Sequence, residues 1–168
     1  MFGRGQLAAN QQAEMNEIFV GGRTHHSHGL RQELDVSCFV RDERYLLKTS
    51  IELLDPNNNS YICMRNERWG SPRYCPLFSI QLISTGGSSW IHLQNDSPIS
   101  WQNGYNAYES ILTVTNALAS AEKAYMYLYG PRDRVSMKVK DLSLEPYEAV
   151  QNECTEFINN GNAEVRFL

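Results

Sequence analysis

Three stretches of the chain place aromatic rings beside polar side chains, a combination that can recognise a ligand. The rings belong to Trp69 and Tyr74, to Trp101 and Tyr105, and to Tyr125, Tyr127 and Tyr129. Arginines stand next to the first pair, and glutamine and asparagine next to the second. A flat ring offers an apolar surface for stacking, while polar neighbours can bond to hydroxyl groups. A sugar ring has an apolar C–H face and many hydroxyls, so these residue types suit sugar recognition.

Each cluster also has a structural interpretation. The three tyrosines alternate along one predicted strand, where they could fill a half-buried sheet surface and keep their hydroxyls at its rim. Trp69 and Trp101 lie in polar loops, which they could anchor in the core instead of binding a ligand. Both interpretations stay open at this level for every cluster.

Catalytic patterns are missing from the sequence. It has no Ser/His/Asp arrangement with a nucleophile elbow and no phosphate-binding glycine loop. A glycosidase needs two carboxylates in a cleft, and the nearest candidates are Glu33 with Asp35 and Glu43 with Glu52. On alternating strands these acids are expected on the solvent face. We therefore predict a protein that is not an enzyme.

Composition and charge restrict the fold and the partners. The 168 residues suit one domain with a substantial core. Nine tyrosines, six phenylalanines and three tryptophans favour an all-β fold. The net charge of −4, with both signs interspersed, offers no positive stripe to a phosphate backbone, so we predict no nucleic-acid binding. No apolar run approaches the roughly 20 residues of a membrane-spanning helix, so we predict no membrane insertion and expect any secretion signal outside this sequence.

The four cysteines suggest disulfide bonds, because their spacing contains none of the CxxC pairs of a zinc site. Cys63 and Cys75 bracket a short polar loop, and we predict that they are bonded. Cys38 and Cys154 could form a second bond or remain free, and four buried, reduced cysteines are the alternative. Together with two Asn-x-Ser glycosylation sequons, at Asn58 and Asn95, the predicted disulfide favours an extracellular protein.

Alternating apolar residues predict about eight or nine antiparallel strands and no long helix. The clearest strand covers residues 43–54, and residues 77–93 predict a hairpin around a glycine turn. Residues 124–140 contain two alternating segments on either side of a Gly-Pro-Arg-Asp turn, which predict a second hairpin. Strands at this spacing indicate a β-sandwich.

Three motifs in this order resemble carbohydrate-binding modules of families 4, 9 and 22, which are galactose-binding-domain-like β-jelly-rolls. The first motif is Gly22-Arg23-Thr24 with His28-Gly29-Leu30 and Gln32-Glu33-Leu34. The second is the strand that begins at Tyr45-Leu-Leu-Lys, and the third runs from Tyr127-Leu-Tyr-Gly-Pro131 to Lys140-Asp141-Leu. The resemblance implies a jelly roll over residues 17–146, with a loose leader at residues 1–16.

The resemblance has departures at both ends. Tyr129 and Lys140 occupy positions where family members have acids, and no family-like opening strand precedes Glu17. Instead, residues 160–164 resemble that opening strand. The tail at 147–168 is therefore either a linker with the first strand of a following repeat, which we favour, or a segment that completes this sheet.

The resemblance implies a non-catalytic polysaccharide-binding module of a larger secreted protein, located outside the cell or in a cell wall. Its neighbours would be further repeats or a catalytic domain. The alternatives are an adhesion or cell-wall structural module that binds proteins and, third, a glycoside hydrolase or polysaccharide lyase. The predicted sugar-binding residues are Arg23, Trp69, Tyr74, Trp101, Tyr105, Tyr127 and Tyr129.

Two of the implied roles have specific alternatives. Arg23 could bond to sugar hydroxyls or pair with an acid such as Glu33 or Glu52. Asp141 matches a position that helps to hold a structural calcium ion in many family members. Calcium needs about six to eight oxygen ligands, and Glu164 is the one further candidate. No other cofactor is expected.

Overall fold

The computed structural model describes residues 17–25, 27–64, 74–93, 101–131, 134–148 and 164–166. Residues 164–166 are described by their backbone alone. No helix among these residues has the length and apolar composition needed to cross a membrane. The leader at 1–16, the residues around Trp69 and the sequon at Asn95 lie outside the described residues.

The described residues form nine β-strands. In chain order these are β1 (Glu17–Val20), β2 (Gly29–Leu34), β3 (Arg44–Leu54), β4 (Leu77–Ser84), β5 (Gly87–Leu93), β6 (Asn106–Thr113), β7 (Lys123–Tyr129), β8 (Ser136–Pro146) and β9 (Glu164–Arg166). One sheet has the order β1-β8-β3-β6, the other has the order β5-β4-β7-β2-β9, and every pairing is antiparallel. A 3-10 turn at Val36–Cys38 and a single α-helical turn, α1 (Asn116–Ala119), accompany them. The predicted all-β sandwich is confirmed.

The core lies between the two sheets, where alternate side chains of each long strand point inward. On β3 the predicted inward residues include Tyr45, Leu47 and Ile51, and all three are fully buried. Phe78 and Ile80 of β4 face them from the other sheet and are also fully buried. The period of two therefore predicted the buried face of these strands correctly.

The predicted hairpin at residues 124–140 is wrong, although both of its strands exist. β7 lies in the five-stranded sheet between β4 and β2, whereas β8 lies in the four-stranded sheet between β1 and β3. The segment between them therefore crosses from one sheet to the other. Two alternating segments and a turn are the local pattern of a hairpin, but the same pattern fits any short connection between strands.

The hairpin predicted at residues 77–93 is confirmed. β4 and β5 pair from Phe78 opposite Leu93 to Ser84 opposite Gly87. Gly87 has a φ of 127°, which residues with a Cβ rarely adopt. This turn sets the register of β5 and thereby the position of Trp90.

The tail contributes a strand to this domain. β9 pairs with β2, with Arg166 opposite Gly29 and Glu164 opposite Arg31. In this chain, therefore, the family-like segment near residue 164 extends the five-stranded sheet, which is the second of the two interpretations of the tail. A following repeat stays a prediction.

The predicted disulfide between Cys63 and Cys75 is confirmed. Cys38 is also disulfide-bonded, so the alternative that it is a free thiol is excluded. Cys154 is the remaining cysteine of the sequence and lies outside the described residues.

Candidate functional site

The outward face of the five-stranded sheet collects aromatic and polar side chains from four strands. Residues directly opposite each other in paired strands lie on the same face. One row across the sheet therefore consists of Arg31, Tyr127, Ser79 and His92, and the next consists of Glu33, Tyr125, Gln81 and Trp90. Tyr129 follows on β7, opposite Gly29 and Leu77. We call this surface the aromatic face.

Three rings form the centre of the aromatic face. Tyr127 and Tyr129 are stacked, with 5.7 Å between ring centroids and 5° between planes. Trp90 lies 5.3 Å from Tyr127 and 6.3 Å from Tyr129, inclined to both. The tyrosines are 5% and 6% exposed, whereas Trp90 is 40% exposed. Trp90 is therefore the ring that a ligand can reach, and the tyrosines support it.

Hydrogen bonds hold the polar side chains of this face in place. The Tyr127 hydroxyl donates to Oε1 of Gln81 over 3.1 Å. The Oγ atom of Ser79 and the Nδ1 atom of His92 are 2.8 Å apart. His92 is itself exposed, so its other ring nitrogen can bond to a hydroxyl group beside Trp90.

Burial also shifts the pKa of Tyr129. Loss of solvent, with a smaller effect from neighbouring Tyr127, raises the pKa of Tyr129 to about 12. The phenol is neutral throughout the physiological pH range, as an unperturbed tyrosine also is, and can act as a hydrogen-bond donor.

Arg31 borders the aromatic face on β2. Its guanidinium carbon lies 3.7 Å from the ring centroid of Tyr125 and 5.8 Å from that of Tyr127. A cation at this distance over a ring is attracted by the negative π face. The aromatic face therefore has a neutral aromatic centre and a cationic margin.

The structure places Arg23, a predicted sugar-binding residue, in the interior. Arg23 is 2% exposed, and its side chain donates to backbone carbonyls. Its Nε donates to His28 over 2.6 Å, Nη1 to Val135 over 2.7 Å, and Nη2 to Pro131 over 2.8 Å. Arg23 therefore holds the connection between β7 and β8 and does not present its donors to a ligand.

Trp101, also predicted to bind sugar, is likewise buried. Trp101 is 6% exposed and packs in the hydrophobic core. The following residues turn back on Asn106, whose Oδ1 accepts from the backbone N–H of Gln102 over 2.7 Å. The polar neighbours thus reach solvent while the ring anchors the loop, which is the structural alternative noted above.

Tyr105 lies on the opposite side of the molecule. It directly precedes β6, its hydroxyl donates to the carboxylate of Glu17, and the Lys140 ammonium lies 4.0 Å from its ring centroid. Burial and the hydrogen bond to Glu17 raise the pKa of Tyr105 above its ordinary value. Because these partners belong to β1 and β8 of the four-stranded sheet, Tyr105 is not part of the aromatic face.

The other predicted binding residues have mixed outcomes. Tyr127 and Tyr129 are brought together on the aromatic face. Tyr74 is half-buried, forms a bridge with Met64 next to the Cys63–Cys75 disulfide, and has a pKa raised by burial. Trp69 lies outside the described residues, so its role stays a prediction.

Trp90 and Arg31 lie on the aromatic face and were not among the binding residues predicted from the sequence. The signal was present, because Trp90 and His92 alternate on one strand of a predicted hairpin, and Arg31 alternates with buried neighbours on β2. Their joint position depends on the pairing of β7 with both β2 and β4. The sequence does not record that pairing.

Asp141 does not assemble a metal site from the described residues. It is exposed, has a φ of 55°, and lies at the irregularity where β8 pairs with β3. The preceding carbonyl, that of Lys140, accepts from the Thr49 hydroxyl over 2.8 Å. No group of three His, Cys, Asp or Glu side chains that could hold a metal occurs within the described part of the chain. Calcium also takes backbone and amide oxygens, so the predicted calcium ion at Asp141 stays a prediction.

Solved structures of carbohydrate-binding modules resemble this fold. No protein-family model and no curated protein matches the sequence. Among solved structures, the C-terminal family 22 carbohydrate-binding module of Clostridium thermocellum Xyn10B matches with a TM-score of 0.56 and 12% identity, over 88% of this chain and 83% of that chain. A xylan-binding domain of family 22 matches with a TM-score of 0.56 and 11% identity, over 88% of this chain and 84% of that chain.

The chain has the jelly-roll fold of these modules. A third jelly roll with this fold belongs to the two-module structure of the N-terminal family 22 module and GH10 module of C. thermocellum xylanase 10B, complexed with xylohexaose. It matches with a TM-score of 0.56 and 8% identity, over 79% of this chain and 22% of that chain. The jelly roll expected from the sequence motifs is therefore confirmed.

Proposed function

We propose that this domain is a non-catalytic module that binds a polysaccharide on the aromatic face. The observation that carries the proposal is the exposed Trp90 ring held against the Tyr127–Tyr129 stack on the outer surface of a jelly roll. An exposed ring of this kind stacks on the apolar face of a sugar, and His92 beside it can bond to hydroxyls.

The width of the aromatic face favours a polymer over a single sugar. β2 and β5 are separated by β7 and β4, so Arg31 and Trp90 originate on strands about 14 Å apart. A ligand that contacts both must extend over more than one sugar ring. The similar solved structures, a carbohydrate-binding module and a xylan-binding domain, support the same class of ligand.

The charges on the aromatic face support binding without catalysis. Hydrolysis of a glycosidic bond needs a pair of carboxylates. Glu33 is the one acid among the side chains that the structure describes on this face, and Glu164 of β9, opposite Arg31, is described by its backbone alone. We therefore place any catalytic activity in a neighbouring domain of the parent protein.

The proposal includes the location and context of the module. We infer a secreted protein, because the Cys63–Cys75 disulfide persists best in an oxidising compartment. The parent would then be a larger extracellular or cell-wall protein with further repeats or an enzyme domain. The module would bind that protein to its polysaccharide ligand. A calcium ion at Asp141 would need further oxygen ligands beside its carboxylate.

Affinity electrophoresis of the full chain through gels that contain β-glucans, xylans, mannans or pectic polymers tests the proposal. We expect retardation by at least one polymer and competition by its soluble oligosaccharides. Migration unchanged in every gel would overturn polysaccharide binding and leave the protein-binding alternative.

A further inference from the structure

The cationic margin of the aromatic face contains the guanidinium group of Arg31, which forms no ion pair with any side chain that the structure describes. Arg31 is half-buried, and its Nε atom is buried without a hydrogen-bond partner. Glu164 of β9 is paired opposite Arg31 and is described by its backbone alone. A buried donor of a charged group is costly when it lacks an acceptor.

The nearest acid on β2, Glu33, does not pair with the Arg31 guanidinium. Glu33 is two residues away on the same face and is exposed, yet it forms no ion pair with Arg31. The guanidinium carbon instead lies 3.7 Å from the centroid of the Tyr125 ring. This cation–π contact holds the group over the ring, and its Nη atoms are the donors that a planar anion can bind.

We propose that the glycan bound on the aromatic face is acidic, with Arg31 binding the carboxylate of a uronic acid while a neighbouring sugar stacks on Trp90. This inference rests on the proposed function. A carboxylate fits better than a neutral hydroxyl, because it accepts two parallel hydrogen bonds from a guanidinium and also neutralises its charge. Arg31 and Trp90 would then contact two different sugar units of one polysaccharide.

Matched polymers separate this inference from the proposed function. Binding of the full chain is measured with polygalacturonate and with a glucuronic-acid-substituted xylan, each compared with the same polymer after chemical reduction of its carboxyl groups. We expect reduction to weaken binding to at least one of the two by about tenfold or more, as the loss of a charge-assisted hydrogen bond implies. Added salt should weaken binding to the acidic form more than to the reduced form.

Two variants on the same strand and face assign the effect to Arg31. Arg31→Gln should weaken binding to the acidic polymer by about tenfold and leave binding to the reduced polymer within about twofold. Glu33→Gln is the control, and it should bind the acidic polymer at least as tightly as the parent chain. Thermal unfolding of both variants verifies that they fold, and the polymer pairs on the parent chain test the inference independently of any variant.

Equal affinity of the parent chain for the acidic and reduced forms would overturn the acidic ligand and leave polysaccharide binding intact. An equal loss on both forms in Arg31→Gln would also overturn it, because Arg31 would then bind hydroxyls. If the parent chain bound no polymer at all, acidic or neutral, the proposed function itself would fail.

Discussion

Arg23 donates from Nη2 to the carbonyl of Pro131 over 2.8 Å, although 108 positions separate the two residues in the chain. The bond joins the first sequence motif to the third at the point where the chain crosses from β7 to β8. The backbone adds a second link, since the N–H of Arg134 donates to the carbonyl of Arg23 over 2.9 Å. The two motifs that suggested a jelly roll are thus one structural unit, which holds the two sheets together.

Replacement of Arg23 should destabilise the fold without a specific effect on ligand binding. In Arg23→Lys the buried carbonyls of His28, Pro131 and Val135 lose the fork of donors that satisfies them. Each buried carbonyl left without a donor costs about 1–3 kcal/mol, so we expect a loss of at least about 2 kcal/mol. Urea unfolding measures it, with Arg134→Lys, at an exposed position, as the control. A midpoint equal to that of the parent chain would contradict the role of Arg23.

Gly130 should tolerate no side chain, because Arg23 fills the space beside it. A Cβ atom at Gly130 would lie 2.4–2.8 Å from three atoms of the Arg23 guanidinium. Gly130→Ala must therefore displace Arg23 from its carbonyls, and we expect destabilisation of about 1–3 kcal/mol. In an Arg23→Ala background the same substitution should cost much less, and a double-mutant cycle measures this difference. Additive losses would show that the two residues act independently.

Trp90 should contribute to binding and little to folding. Its ring is the exposed member of the aromatic face, so Trp90→Ala should weaken polysaccharide binding by about 1–3 kcal/mol. Isothermal titration with the retarding polymer measures the affinity, and thermal unfolding verifies the fold. Ile111→Ala is the matched control, because Ile111 is similarly exposed, at 38%, on the other sheet. Equal effects of the two substitutions would place the ligand elsewhere.

Trp101 should show the opposite behaviour. The ring is buried in the core, and truncation of a buried tryptophan costs about 3–5 kcal/mol through lost contacts and the cavity that remains. We expect Trp101→Ala to lower the urea midpoint strongly, while the protein that remains folded binds the polymer with parental affinity. A variant of normal stability that failed to bind would restore Trp101 to the binding site.

The disulfide between Cys63 and Cys75 should stabilise the chain by restricting its unfolded state. The two cysteines are 12 positions apart, and closure of a loop of this length is worth about 2–4 kcal/mol. The double variant Cys63→Ser/Cys75→Ser should lose about that amount in urea unfolding. It should lose further stability on reduction, because Cys38 is also disulfide-bonded. If the variant unfolds at the parental midpoint, this loop was already ordered in the unfolded chain.

Strands and their buried faces could be predicted because alternation is a local property. Tyr45 and Leu47 could be assigned to the core from their spacing alone, and both are fully buried. The same alternation could not show that β7 and β8 enter different sheets, because it records which side of a strand is apolar and not which strand lies beside it. The hairpin between them was wrong for this reason.

Site residues could be predicted only in part, because exposure depends on distant packing. Tyr127 and Tyr129 were correctly placed together on one face by their spacing. Trp101 and Arg23 have polar neighbours in the sequence, which predicted exposure, but both are buried. Trp90 stands in a hairpin of ordinary composition, yet the pairing of β4 with β7 brings it onto the tyrosines.

By itself, the sequence determined the all-β character of this protein, the inward side of its long strands and the link between Cys63 and Cys75. These properties follow from spacing over a few residues, which side-chain alternation and short loops control. Only the tertiary structure decided that Trp90 and Arg31 border one aromatic face, and that Arg23 holds a crossover between the sheets. Those relationships join residues far apart in the chain, and they depend on which strands pair with each other in the two sheets.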